Sequence, residues 1–292
     1  MASGLPENVR KSCEMLLGTT IEASFHVGDG DINEARRLET SGGRFFLKMN
    51  AAPQAHEMFA AEAKGLALLA KSHTLRIPKV IGHSEPGDNN TGFLILEFIE
   101  AGHRRADFWS RFGEGLAALH RIRSKYFGLE YHNFIGSLSQ FNKQHNNWVT
   151  FYIEERLFPQ IHLAETQNQF STKDHENFDL LFKKLPQILP DEPPALIHGD
   201  LWSGNFLSDE QGAPVLIDPA VCFASREMDI AMSKLFGGFD REFYQIYQAA
   251  YPLLPGWEER IDLYQLYYLL VHVNLFGGGY IQSVRQVVRR YL

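Results

Sequence analysis

Apolar and polar positions alternate with period two through much of the first hundred residues and with period three to four beyond them. Residues 21–25 and 34–38 read as strands on either side of a Gly/Asp segment, Val27-Gly28-Asp29-Gly30-Asp31-Ile32-Asn33. A third strand, residues 44–49, follows the turn signal Ser41-Gly42-Gly43. Pro53 stands where a helix can begin, and Phe59, Glu62, Ala63, Leu66 and Leu69 then fall on one helical face. The apolar run 91–99 predicts a buried strand, ending in the linker-like Glu100-Ala101-Gly102. After about residue 105 the pattern becomes helical: 108–120, with Phe112, Leu116 and Leu119 on one stripe, then 148–162 and 178–185. Short strands are predicted at 195–198 and 215–217, and an aromatic-rich helical tail at 239–292 is interrupted by Gly277-Gly278-Gly279. The expected fold is α+β, with a strand-rich first lobe (1–100), a helix-rich second lobe (101–292), and a small hairpin set into the second lobe near residue 200.

Composition narrows the class. A hydrophobic fraction of 45% excludes a disordered chain. No uninterrupted apolar stretch of about 18 residues predicts a membrane span. The first fourteen residues lack the apolar centre of a signal peptide, so a cytoplasmic protein is expected. A net charge of −7 argues against a general nucleic-acid binder. Two cysteines, Cys13 and Cys222, make neither a disulfide framework nor a metal-ligand spacing.

The densest chemical signal is Leu196-Ile197-His198-Gly199-Asp200-Leu201-Trp202-Ser203-Gly204-Asn205-Phe206. An apolar strand delivers Asp200 into a Gly-containing loop, with Asn205 five residues later. The turn Ser208-Asp209-Glu210-Gln211-Gly212 reverses the chain, and the next strand ends in Asp218-Pro219. A hairpin returns near its start, so Asp200, Asn205 and Asp218 are expected to cluster at one mouth. Phosphoryl transfer from ATP needs such a set: one carboxylate to take the acceptor's proton, and an amide oxygen and second carboxylate to hold Mg2+. The competing structural role is a polar turn that satisfies its own backbone.

Lys48 lies inside an apolar run, and Glu62 on an apolar helical stripe. Each is costly there unless paired, so the two are expected to form an ion pair that presents the ammonium to nucleotide phosphates. Gly28 and Gly30 would let backbone amides approach phosphate oxygens, with an ordinary hairpin turn as the alternative. The Walker pattern is absent, which excludes a P-loop NTPase. Backbone groups of Glu97, Phe98 and Ile99 could read an adenine edge, or belong to a buried strand without a ligand.

With these residues assembled, the chain resembles the fructosamine kinase / ketosamine-3-kinase family of the protein-kinase-like superfamily, beside the aminoglycoside phosphotransferases. The segments that carry the resemblance are Gly30-Asp31-Ile32-Asn33, Phe46-Leu47-Lys48, Met58-Phe59-Ala60-Ala61-Glu62, His198 through Asn205, Ile217-Asp218-Pro219-Ala220, Phe236-Gly237-Gly238-Phe239 and Leu263-Tyr264-Gln265-Leu266. The resemblance implies a bilobal kinase-like fold, a small antiparallel sheet with one main helix followed by a larger helical lobe. It implies ATP-dependent phosphorylation of the sugar 3-hydroxyl of ketosamines of fructosyl-lysine or ribulosyl-lysine type, free or protein-linked, and so a part in protein deglycation. By matching position, Asp200 would be the proton acceptor, Asn205 and Asp218 would hold Mg2+, Lys48 with Glu62 would hold the phosphates, and the backbone of 97–99 would bind adenine.

Among further residues, Trp202 could face the acceptor, since aromatic faces suit sugars and cationic amines, while Trp148 reads as core. Glu227 could meet the substrate's amine or serve as a cap or ion-pair partner in the next helix. His198 reads as an organiser of the loop, and His272 and Asn274 as satisfied core groups. The alternatives are a kinase for another hydroxylated amine (aminoglycoside, choline or homoserine) and a nucleotide-binding pseudokinase. A metal-dependent hydrolase fares poorly for want of a His-rich ligand set.

Overall fold

Period-two patterning builds a five-stranded antiparallel sheet from β1 (Ile21–His26), β2 (Glu34–Thr40), β3 (Gly43–Asn50), β4 (Val80–His83) and β5 (Gly92–Glu97), in the order β1-β2-β3-β5-β4. The structure is a computed structural model that describes residues 4–28, 33–86 and 91–292. Alternation along β3 and β5 sorts side chains between the two faces. Leu47, Met49, Phe93 and Ile95 pack with Val9 and Cys13 of helix α1 (Glu7–Leu17). Leu94, Leu96 and Phe46 pack with Ala55, Phe59, Ala63 and Leu66 of helix α2 (Ala55–Ala70). Lys48 shares the Phe46 side of β3 by the same alternation and therefore faces α2.

The chain divides into two compact units, one of residues 1–108 with 206–219 and the other of 109–205 with 220–292. The hairpin of β9 (Phe206–Ser208) and β10 (Pro214–Leu216) therefore joins the strand-rich first unit, not the helical second unit where its place in the sequence puts it. Arg76 is the reason. Its carbonyl accepts from the N–H of Leu216 (3.0 Å), and its guanidinium binds Asp209 (2.6 Å), Glu210 (3.1 Å) and Glu97 (2.8 Å). Three carboxylates on one guanidinium hold the hairpin to the end of β5.

The second unit is mostly helical. It contains most of α3 (Phe108–Leu119), a small hairpin of β6 (Asn133–Ile135) and β7 (Leu138–Gln140), and α4 (Trp148–Phe151), capped by the Asn147 side chain. A π-helical turn, Tyr152–Leu157, joins α4 to α5 (Phe158–Thr166). The single helix expected over 148–162 thus changes register midway, just before Pro159, which has no N–H to continue the ladder. Next come α6 (Thr172–Ile188), with a Ser171/Asp174 capping box, and β8 (Ala195–Ile197), which pairs with β11 (Cys222–Ala224). Helices α7 (Glu227–Leu235), α8 (Arg241–Ala250), α9 (Trp257–Phe276) and α10 (Tyr280–Arg290) complete it, with α9 packed against α5, α7 and α10. Among the described residues, no helix is long and apolar enough to cross a membrane.

Glu227, considered above as a contact for the substrate's amine, is 1% exposed, and both its oxygens accept from Arg260 (2.8 and 2.6 Å). Burial pushes the Glu227 carboxyl up and Arg260 opposes this. The carboxylate neutralises a neighbouring guanidinium inside the fold and does not face a ligand. Replacing Glu227 with Gln should leave that guanidinium short of a partner and lower unfolding stability by about 3 kcal/mol, measured by urea denaturation. An unchanged denaturation midpoint would count against this role.

Candidate active site

In the first unit, β3 carries Lys48, α2 carries Glu62, and Asp218 follows β10. The Lys48 ammonium donates to both Glu62 oxygens (2.8 and 3.1 Å) and to Asp218 Oδ1 (2.9 Å). Its side chain is only 8% exposed, against 14% for Glu62 and 40% for Asp218. Burial alone would lower the Lys48 pKa, but the two carboxylates reverse that and hold it above its ordinary value, so the group is a permanent cation. Asp218 occupies the left-handed region (φ 53°), a conformation a non-glycine residue holds only when its surroundings enforce it. The ion pair expected from the sequence is therefore present, with Asp218 as a third member.

In the second unit, β8 delivers the loop that carries Asp200. Asn205 donates through Nδ2 to both the Asp200 carbonyl and Asp200 Oδ2, each at 2.9 Å. The amide is thereby oriented, and Oδ1 is its atom with metal-binding chemistry. The loop is clamped from within. Asp229 of α7, fully buried, accepts from the backbone N–H of His198 and of Gly199, both at 2.8 Å. His120 lies at the end of α3's stripe, and burial lowers its pKa, so the ring is neutral at pH 7. Its Nε2–H donates to Asp229 Oδ2 (3.1 Å) and its Nδ1 accepts from the Tyr247 hydroxyl (2.8 Å). Burial alone would raise the Asp229 carboxyl, but His120 and the loop's backbone N–H groups hold it below its ordinary range.

Gly199 is required in this loop. Its φ is +86°, and a β-carbon there would strike the Ala220 carbonyl. The Gly199 carbonyl accepts from the Tyr268 hydroxyl of α9 (3.0 Å), and the Asp200 N–H donates to His198 Nδ1 (3.3 Å). His198 thus orders the loop, as its position predicts, and its ring is fully buried. Trp202 is exposed, and its ring lies where a β-carbon on residue 204 would be, which explains Gly204.

The remaining predicted positions divide. Gly28 is in the left-handed region (φ 73°) after β1, whereas Gly30 lies outside the described residues. The Glu97 N–H donates to the Lys79 carbonyl (2.8 Å), and its side chain binds Arg76 and the Lys79 N–H. That N–H is therefore not available to an adenine base. Trp148 is core, as expected, whereas Asn274 is satisfied only in part: its Nδ2 donates to the Gln160 carbonyl and side chain, and its buried Oδ1 has no partner among the described residues. His120, Tyr268 and Arg76 are not legible as site-building residues, and Asp229, part of a charged cluster with Arg226 and Glu227, gives no sign in the sequence that it anchors the loop.

Three comparisons fit this geometry. The family model described as "Fructosamine kinase" matches residues 7–292. A "Probable ketoamine kinase" of Synechocystis sp. is 40% identical over 275 residues, covering 93% of this chain and 91% of its own, and a "Protein-ribulosamine 3-kinase, chloroplastic" of Arabidopsis thaliana is 38% identical, covering 94% and 84%. A solved structure named "Putative fructosamine-3-kinase", from Thermobifida fusca, superposes with a TM-score of 0.87 at 32% identity, covering 99% of both chains. Matched in sequence over residues 7–292 and in fold over 99% of its length, the chain belongs to the fructosamine kinase family.

Proposed function

We propose that the protein transfers the terminal phosphoryl group of ATP to the sugar 3-hydroxyl of a ketosamine. The observation that carries this reading is the buried Lys48 ammonium, held at 2.8–3.1 Å by Glu62 and Asp218. A fixed cation beside an accessible carboxylate is suited to the phosphates of a nucleotide and their metal. The two relatives named for ketoamine and ribulosamine 3-kinase activity support the acceptor class and the 3-hydroxyl.

The donor set fits Mg2+: the Asp218 carboxylate and the Asn205 amide oxygen are hard oxygen ligands of the kind that ion takes. When bound, the ion would neutralise charge on the phosphate oxygens. Lys48 supplies a second positive charge, and Glu62 fixes where it points. Gly28, the carbonyl of Glu97 and the backbone of Phe98 and Ile99 take nucleotide-binding roles. Asp200 accepts the proton of the attacking hydroxyl, and the Asn205 amide keeps its carboxylate in one orientation. The Asp229 clamp keeps the loop from moving as that proton is taken. A 3-phosphate on such a sugar is set for elimination that frees the amine, so the activity would reverse glycation. Cys13 and Cys222 are buried free thiols, which suits a reducing, cytoplasmic setting.

Fructosyl-lysine or ribulosyl-lysine incubated with the enzyme and Mg-ATP should gain one phosphate by mass spectrometry, and Asp200→Asn should abolish the gain. Phosphate appearing only on an aminoglycoside or choline would redirect the assignment. Lys48→Ala should lower kcat/KM for ATP by on the order of a hundredfold while circular dichroism stays unchanged; full activity in that variant would remove Lys48 from the chemistry. Chelation of divalent cations should stop turnover, and Asp218→Asn should raise the Mg2+ concentration needed for half-maximal rate. Equal Mg2+ dependence in that variant and the wild type would contradict Asp218 as a ligand.

A further inference from the structure

Beginning two residues after Asp200, five rings form a continuous row in the second unit. The Trp202 ring meets Phe236 edge to face, with centroids 6.1 Å apart. Phe236 packs on His272 at 4.9 Å, and His272 packs on Phe276 at 5.5 Å and on Tyr280 at 5.0 Å. The row has a simple origin. Tyr268, His272 and Phe276 recur every four residues, so they share one face of α9. Tyr268 anchors that face to the Gly199 carbonyl, next to Asp200. Phe276 lies two turns further along, about 12 Å away by helix rise. Gly277, with φ 63°, ends α9 and lets α10 turn back so that Tyr280 reaches the row.

Burying these rings would follow the usual rule for apolar residues, but this row stays open at Trp202 and Phe276, while Phe236, His272 and Tyr280 are half-buried. Phe276 is 55% exposed, among the most exposed large apolar side chains of the described residues, and Trp202 is 36% exposed. His272 is the polar member. Its Nδ1–H donates to the Tyr268 carbonyl (2.8 Å), and burial lowers its pKa, so the ring is neutral and Nε2 is an acceptor. None of the five rings carries positive charge at pH 7. An open strip of aromatic faces with one neutral acceptor suits a cation with an apolar tail.

We propose that Trp202, Phe236, His272, Phe276 and Tyr280 form a subsite for the alkylammonium arm of the substrate, the part of a ketosamine beyond the sugar. This rests on the reading under Proposed function, because the sugar hydroxyl at Asp200 sets where the arm begins. A ketosamine nitrogen is a secondary ammonium at neutral pH, which meets the ring faces and the His272 acceptor near the loop. The methylenes of a lysine-derived arm then run along α9 over Phe276 and Tyr280. The row therefore selects for arm length and charge, not for the sugar.

The test compares kcat/KM for fructosyl-lysine with that for the fructosamine of methylamine, which has the same sugar and charge but no arm. Phe276→Ala, at an exposed position, should lower the long-to-short preference about tenfold, chiefly through KM for the lysine substrate. Phe276→Trp should restore it, and Phe158→Ala, an exposed ring on α5 outside the row, should keep the wild-type preference. An unaltered preference in Phe276→Ala and in Tyr280→Ala, with wild-type thermal stability, overturns the subsite and leaves the kinase reading intact. A wild-type enzyme inactive on both fructosamines overturns both.

Discussion

A lysine ammonium removed from water must find negative charge, and that requirement organises the first unit. Lys48 reaches it from a central strand, Glu62 from the helix packed on that strand, and Asp218 from the far end of a hairpin 170 positions later in the chain. Removing any partner would leave a buried charge short of compensation, which costs several kcal/mol. The sheet, α2 and the β9–β10 hairpin are therefore tied at one point by electrostatics as well as by apolar packing. Arg76 makes a second tie between the hairpin and β5 with the signs exchanged, one cation holding three carboxylates. A side chain held this way by several partners is fixed in one orientation.

The second unit solves a different problem with the same means. The loop leaves the Asp200 carboxylate only partly buried, so burial of that side chain does little to hold it. Its backbone is held instead, by the buried Asp229 below it and the Tyr268 hydroxyl beside it. Neutral His120 completes the set, because a hydrogen bond from imidazole stabilises the Asp229 charge without adding a second buried ion. Rigidity is thus concentrated under Asp200, and the aromatic row beside it stays open.

Much of this was readable in advance where one residue's surroundings in the chain already made it anomalous. Lys48 in an apolar strand and Glu62 on an apolar stripe each required a partner, and each was the natural partner of the other. Helices α2 and α3 stood out because their apolar residues fall on one stripe, and the tail by its helical period. Other elements gave little to read. Helix α1 buries only Val9 and Cys13, and β6, β7, β8 and β11 have three residues each, too few for a period to emerge. Strand β4 has four residues with a glycine in its centre, and the π-helical turn reflects Pro159 acting within an otherwise ordinary helical pattern.

What the chain determined by itself was which side chains need compensation and which faces are apolar, because both follow from local spacing and the cost of desolvating charge. Only tertiary structure decided who supplies the compensation. Asp218 completes the Lys48 pair, Arg260 claims Glu227, Lys79 claims the N–H of Glu97, and Asp229 anchors a loop thirty residues before it. Such partners come from segments far apart along the chain, and a carboxylate's own neighbours in sequence do not reveal which distant cation or N–H group the fold will bring to it.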